Sequence, residues 1–400
     1  MSNRIPKVQL LDASIHPERS PTEKKLSTSR KGATEFTFIE LFSGIGGFGL
    51  ALEALGGRCV FASELDEDCR AVYAKNMGPV PLFGDIYQVP DSSIPSGDDA
   101  IDLLVGGFPC QPFSNLGTQP GFDDKVKGQL YLQIVRVLKL SQPRAFLLEN
   151  VPGLLRMTEA FNTIVAALES AGYYVSTQVC SSRGLTATSR KRLFFVGLRH
   201  GNNDDCFEFP FVPDLGLRAL DVIDYWDEAD TDLMTLLRLS DAQMDQLRHK
   251  SKQWKPAKLA WPDVTIDTLD SHYGVTVGKG NSQLVPCPAP SHPRRFSPME
   301  CARVMGFPAS TFVFLTQSET QGDMAYLKKQ YHMFGNAVCP PLIAAIAGAV
   351  IGSCRPELRD AWVVHGRNVA MQLAVSAVLP SRQDPTWTRL RCNYPNLFNS

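Results

Sequence analysis

The run Phe36-Thr37-Phe38-Ile39-Glu40-Leu41-Phe42, continued by Ser43-Gly44-Ile45-Gly46-Gly47-Phe48-Gly49, decides the fold class. Its first half is apolar and rich in aromatic residues, as a buried strand requires, and its second half is a glycine turn that leads into an Ala/Leu helix ending at Leu55. A second strand, Cys59-Val60-Phe61-Ala62-Ser63, ends at Glu64 and precedes a helix from about Asp66 to Asn76. The rhythm repeats through the strand Ile101-Asp102-Leu103-Leu104-Val105, a helix from Gln129 to Leu140, the strand Ala145-Phe146-Leu147-Leu148 and a helix from Glu159 to Ser170. Two further strands, Tyr173 to Val179 and Leu193 to Leu198, close the series. Strands alternating with helices predict an α/β fold with a doubly wound, mostly parallel sheet. Ligands of such sheets bind beyond the carboxyl ends of the strands. Gly44, Glu64, Asp85, Cys110 and Glu149 all fall at that edge.

Working outward, residues 1–34 are rich in Ser, Thr, Pro, Lys and Arg without periodicity, and are expected to be a disordered tail. Residues 35–199 form the predicted sheet domain. The rhythm breaks over 200–292, first acidic and then basic and aromatic through Arg248, Lys250, Lys252, Trp254, Lys255 and Trp261, which predicts a smaller lobe. Residues 293–355 are expected to return to the sheet domain. There, Arg294-Arg295-Phe296-Ser297-Pro298-Met299-Glu300 reads as a cap leading into a helix from Glu300 to Met305, and a second helix runs from about Pro341 to Ile351. Residues 356–400 form a C-terminal extension.

Four hundred residues with 44% apolar content suffice for a large core and a smaller lobe. A net charge of -1 excludes a wholly basic nucleic-acid coat, so phosphate binding must come from local Lys and Arg. None of the ten cysteines forms a CxxC or CxC pair, so neither a structural zinc nor any other metal is expected. The chain shows no secretory signal, and the apolar 342–352 segment is short and dominated by small residues. An intracellular protein with reduced thiols and no membrane contact is expected.

The turn Gly44-x-Gly46-x-x-Gly49, with Glu64 about 20 residues on, matches the dinucleotide fingerprint. Alone it fits a nicotinamide enzyme. The physical requirement is only that backbone approach a nucleoside closely and that a carboxylate accept from its ribose, which an adenosyl sulfonium also satisfies. Phe42 can supply an aromatic wall. Cys110, in Gly106-Gly107-Phe108-Pro109-Cys110-Gln111-Pro112-Phe113-Ser114, fits a nucleophile held in register after a strand, although a single Cys also fits a small buried hydrophobe.

Five motifs in order resemble those of the cytosine-5 DNA methyltransferase family. They are Phe42-Ser43-Gly44-Ile45-Gly46-Gly47-Phe48, Pro109-Cys110-Gln111 with Phe113-Ser114, Glu149-Asn150-Val151, Arg190-Lys191-Arg192, and Gly335-Asn336-Ala337-Val338. The resemblance implies a Rossmann-like class I S-adenosylmethionine-dependent methyltransferase fold with a target-recognition lobe. It implies that Phe42, Gly44, Gly46, Gly47 and Asn336 line S-adenosylmethionine, that Glu64 binds its ribose and that Asp85 lies near its adenine.

The same resemblance makes Cys110 the nucleophile that adds to carbon 6 of a flipped cytosine. Glu149 would neutralise ring nitrogen 3, Arg192 would hold the ring carbonyl, and Arg190 or Arg192 would favour the thiolate. Lys125, Lys127, Lys279 and Arg295 are expected to contact duplex DNA. A monomer is expected, in the cytoplasm of a bacterium or the nucleus of a eukaryote.

One position departs from the family. Thr188 stands where a Gln is usual, and its shorter side chain is expected to lose a backbone or phosphate contact. The alternatives that stay open are a transfer-RNA methyltransferase of the same family, a nicotinamide oxidoreductase, and a DNA-binding protein without catalysis. The first lacks a Cys-Phe-Thr triplet here, and the second leaves Cys110 and Asn336 unexplained.

Overall fold

A computed structural model describes residues 36–96, 101–109, 129–201, 206–225, 232–250, 259–273, 283–287, 291–309, 311–315 and 323–378. The apolar runs become strands. β1 (Phe36–Leu41) leads through the glycine turn into α1 (Gly47–Ala54), followed by β2 (Gly57–Ser63) and α2 (Glu67–Met77). Asp66 caps α2 by accepting from the Cys69 amide at 2.8 Å, Glu67 and Asp68 lie in its first turn, and the chain leaves at Gly78 with φ 71°. A two-residue β3 (Leu82–Phe83) comes next, then β4 (Leu103–Gly107), α3 (Leu130–Ser141), β5 (Ala145–Asn150) and α4 (Thr158–Glu169). The last strands are β6 (Tyr173–Ser181) and β7 (Lys191–Arg199).

The sheet order is β3-β2-β1-β4-β5-β7-β6. Parallel pairing runs from β3 to β5, whereas β7 is antiparallel to both β5 and β6. No helix separates β6 from β7, so the chain folds back as a hairpin and β7 inserts between β5 and β6. The order reverses between β1 and β4, which opens the crevice at their carboxyl ends. Apolar side chains cover both sheet faces: Phe36, Phe38, Leu103, Val105 and Leu147 pack into one cluster, and Ile39, Leu41, Leu104, Phe146 and Leu148 into the other.

Beyond β7 come the helical segments Ala219–Val222, Asp232–Leu237 and Asp241–Lys250, and isolated bridges pair Thr188 with Ile266 and Arg238 with Arg294. The chain then forms α5 (Pro298–Met305), α6 (Asp323–Asn336), α7 (Pro340–Ser353) and α8 (Arg359–Ser376). The expected cap at α5 is a reciprocal box. The Glu300 amide donates to Ser297 Oγ at 3.1 Å, and the Ser297 amide donates to Glu300 Oε2 at 2.7 Å. All of α7 is buried, although the run Met324–Ser353 is long and apolar enough to cross a membrane.

The C-terminal extension contributes α8, which covers α7. A Cβ on Gly348 would lie 2.6 Å from the Gly366 Cα, so both positions need hydrogen as a side chain. Trp362 of α8 meets Phe36 of β1 edge-on at 5.9 Å, and Arg355 lies over the Trp362 ring while pairing with Asp102 at 3.4 Å.

Candidate active site

The glycine turn leaves β1 through three residues of positive φ: Phe42 at 53°, Gly44 at 54° and Gly46 at 87°. The strain at Phe42 is one that a non-glycine residue seldom accepts. Gly46 is the N-cap of α1, and a Cβ there would sit 3.1 Å from Met77 Cγ and 3.2 Å from the Tyr73 ring. No capping side chain fits at that position. Glu40, reaching from β1, satisfies part of the uncapped helix start. The Gly49 amide, in the first turn of α1, donates to its Oε1 at 3.2 Å, and the Tyr73 hydroxyl donates to its Oε2 at 2.9 Å.

Glu64 braces the other side of the turn. Its carboxylate accepts from the Gly44 amide at 2.7 Å and from the Asp66 amide at 2.8 Å. Burial pushes its pKa up, and these two amides pull it back. Asp85 follows β3 and caps the short helix Ile86–Gln88 by accepting from the Tyr87 amide at 3.0 Å. The carbonyls of that turn are gathered by Arg136 of α3, which donates to Ile86 at 2.8 Å and to Val89 at 3.2 Å.

Three observations fit an adenosyl donor to this cradle. The space where a Cβ of Gly44 would point is open to 4 Å. Each Glu64 oxygen, holding one amide, retains a lone pair for a ribose hydroxyl. The Ser43 and Ser63 hydroxyls are buried without a hydrogen-bond partner at the ends of the two strands. Asn336 ends α6 beside this cradle, because a Cβ on Gly47 would come within 2.7 Å of Val338 Cγ2. The Asn336 amide is exposed and contacts His332 Nε2 at 3.1 Å.

Glu149 lies at the end of β5, in register with Gly107 of β4. Its Oε1 is 2.8 Å from Arg192 Nε in a largely buried ion pair. Burial raises its pKa, opposed by Arg192 and then Arg190. Asn150 Nδ2 donates to the Phe108 carbonyl at 3.1 Å and so fixes the chain where it leaves β4. Cys110 comes two residues later. Cys110, Lys125, Lys127 and Lys279 lie outside the described residues.

The remaining expected site residues take other positions. Arg190 is 2% exposed and donates to three backbone carbonyls: Leu269 at 2.8 Å, Gly335 at 3.0 Å and Ala337 at 2.7 Å. Arg295 is 3% exposed, which leaves it without the solvent-facing guanidinium that a phosphate contact needs. Thr188 corrects the expectation of a lost backbone contact, since its Oγ1 donates to the Asp267 carbonyl at 3.1 Å. The neighbouring bridge to Ile266 brings that carbonyl within reach of the short side chain.

Sequence reasoning passed over Glu40, Tyr73 and Arg136. A carboxylate in the middle of an apolar strand was the available signal for Glu40.

A seven-stranded sheet with one reversed strand, a glycine turn after β1 and a carboxylate after β2 together define a class I methyltransferase. Residues 36–352 match the family described as C-5 cytosine-specific DNA methylase, and the chain belongs to that family. The Type II methyltransferase M.DsaV of Dactylococcopsis salina is 33% identical over 321 residues, covering 78% of this chain and 85% of that protein. M.NlaX of Neisseria lactamica is 34% identical over 318 residues, covering 78% and 95%. Among solved structures, the Entamoeba histolytica methyltransferase EhMeth superposes with a TM-score of 0.59 at 20% identity, covering 82% of this chain and 99% of that one. A Spodoptera frugiperda DNMT2 variant does so with a TM-score of 0.59 at 20% identity, covering 77% and 97%. Both share the fold. The chain is accordingly a DNA (cytosine-5-)-methyltransferase by family.

Proposed function

We propose that the enzyme methylates carbon 5 of a cytosine flipped out of duplex DNA, using S-adenosylmethionine and a transient bond to Cys110. The observation that carries this reading is the buried Glu149–Arg192 pair, 2.8 Å apart at the strand ends from which Cys110 departs.

Carbon 5 of cytosine is too weak a nucleophile to take a methyl group unaided. Addition of the Cys110 thiolate to carbon 6 breaks the 5,6 double bond and moves electron density toward nitrogen 3. Glu149, its pKa raised by burial, supplies the proton at nitrogen 3, and the ring becomes an enamine nucleophilic at carbon 5. Arg192 holds Glu149 in place and offers its remaining donors to the ring carbonyl. The bound donor supplies an electrophilic methyl group. After transfer, which leaves S-adenosylhomocysteine, water takes the carbon 5 proton, nitrogen 3 returns its proton to Glu149, the 5,6 double bond re-forms and the Cys110 thiolate leaves.

Glu64, Asp85, Phe42, Gly44, Gly46, Gly47 and Asn336 hold the donor in this reading. Residues 200–292 read the bases around the target, and Lys125, Lys127 and Lys279 contact the duplex. Unstacking the base costs a few kcal/mol, which those contacts offset.

Transfer of tritiated methyl from the donor to duplex DNA, measured for wild type and Cys110→Ser with transfer RNA assayed in parallel, tests the reading. Activity on DNA that falls by at least about a thousandfold in the variant supports it, by analogy with the loss of other covalent nucleophiles. Wild-type rates in Cys110→Ser exclude the covalent step, and methylation of RNA alone moves the substrate to the other polymer.

A further inference from the structure

Arg190 stands immediately before β7 and is buried, yet among the described residues no carboxylate hydrogen-bonds it. Its two terminal nitrogens are spent on the carbonyls of Leu269, Gly335 and Ala337, and its Nε has no partner among the described residues. Burial and the adjacent Arg192 push its pKa down to about 10, with Glu149 and Asp270 acting in the opposite direction. A buried cation compensated mainly by carbonyls carries a desolvation cost, which the fold accepts because the three carbonyls would otherwise be left without a donor.

The acceptors themselves suggest what that cost secures. Gly335 and Ala337 flank Asn336, the exposed amide at the donor cradle, so Nη2 grips the chain on both sides of it. Leu269 belongs to a segment already bound to the residues before Arg190. The Ser189 amide donates to the Ile266 carbonyl at 3.0 Å, the Ile266 amide to Ala187 at 2.7 Å, and Thr188 Oγ1 to Asp267. Gly335 also touches the Asp270 backbone so closely that a Cβ would fall 2.2 Å from it. Two residues beyond Arg190, Arg192 pairs with Glu149. One strand start thus carries two guanidinium groups, one on the turn that presents Asn336 and the other on the carboxyl group that faces the base.

We infer that Arg190 is a positioning residue: it sets Asn336 against the methyl donor in register with the Arg192–Glu149 pair, and joins both to the 266–270 segment. The inference rests on the donor and base sites proposed above. Without Arg190, Asn336 keeps its chemistry and loses its place. Lysine cannot substitute, because a single ammonium on a flexible stem does not span three fixed carbonyls as a planar fork does.

The test is a double-mutant cycle in the full chain, with Arg190→Lys and Asn336→Ala read by calorimetric Kd for S-adenosylhomocysteine well below the melting temperature. Each single variant is expected to weaken binding by about tenfold or more, and the double variant no further than Arg190→Lys alone. Independent, multiplying effects overturn the inference, as does wild-type affinity in Arg190→Lys. A merely structural Arg190 lowers the melting temperature and leaves the Kd in place.

Amide exchange on the wild type covers the case in which Arg190→Lys does not fold. S-adenosylhomocysteine is expected to slow exchange in both 335–338 and 266–270, and protection confined to 335–338 refutes the joint. Neither measurement needs turnover, so failure of the wild type to methylate DNA overturns the proposed function separately.

Discussion

Glu40→Gln isolates the buried carboxyl behind the glycine turn. Glu40 is fully buried, with the Gly49 amide on one oxygen and the Tyr73 hydroxyl on the other. Its pKa is raised from the ordinary 4.5 to about 8, chiefly by burial, against the bonds from Tyr73 and Gly49 and with Glu53 and Glu64 adding to the rise. The native state therefore holds a proton that the unfolded chain releases near 4.5. Stability is greatest below that value, falls as pH rises through the interval, and is fully lowered above about 8. At about 1.36 kcal/mol per pH unit the loss is at most about 5 kcal/mol, a large share of the ~5–15 kcal/mol by which domains are stable.

Glutamine keeps the shape and stays neutral, with its carbonyl accepting from Gly49 and its amide turned to Tyr73. Urea unfolding at several pH values from 5 to 9 is the assay. The wild-type midpoint should fall toward pH 9, and the Glu40→Gln midpoint should fall less and overtake it on the alkaline side. The reasoning fails if the two midpoints decline in parallel, because the slope then comes from other groups.

Two further outcomes follow from the same geometry. Glu149→Gln should lower kcat by about 10²–10⁴-fold, as expected for a lost proton donor. Since burial raises the Glu149 pKa and its acid form is the reactive one, the wild-type rate should fall as pH climbs through that value, and a pH–rate profile of the variant should lack this limb. At the α7–α8 contact, Gly366→Ala places a methyl 2.9 Å from the Gly348 Cα and 3.0 Å from the Ala344 carbonyl. It should cost about 1–3 kcal/mol, visible as a drop of several degrees in a thermal melt. An unchanged melt would show that α8 is not held against α7.

The sequence by itself determined the main strands and crossover helices of the sheet domain, whereas β3, α6 and α8 went unread. Strand and helix limits fell within a few residues of those observed, because side-chain periodicity and capping residues act over one or two turns. Gly46 was legible as a turn because only a glycine accepts its φ of 87° against Met77 and Tyr73. Motif order groups Cys110, Glu149, Arg192 and Asn336 as an expected set, which carries chemistry without geometry.

What only the tertiary structure decided involves partners far apart in the chain. β7 runs antiparallel between β5 and β6, a choice made by sheet pairing. Arg190 meets carbonyls 79, 145 and 147 residues away and holds a turn. Arg295 is buried, although a pair of arginines in sequence reads as a charged surface. Thr188 finds its acceptor in Asp267, and α8 closes over α7 through two glycines. A local pattern records which face of an element is apolar and where it ends. Which distant carbonyl a guanidinium meets is set when the elements pack, and that packing is what joins the turn at Gly335 to the Glu149–Arg192 pair.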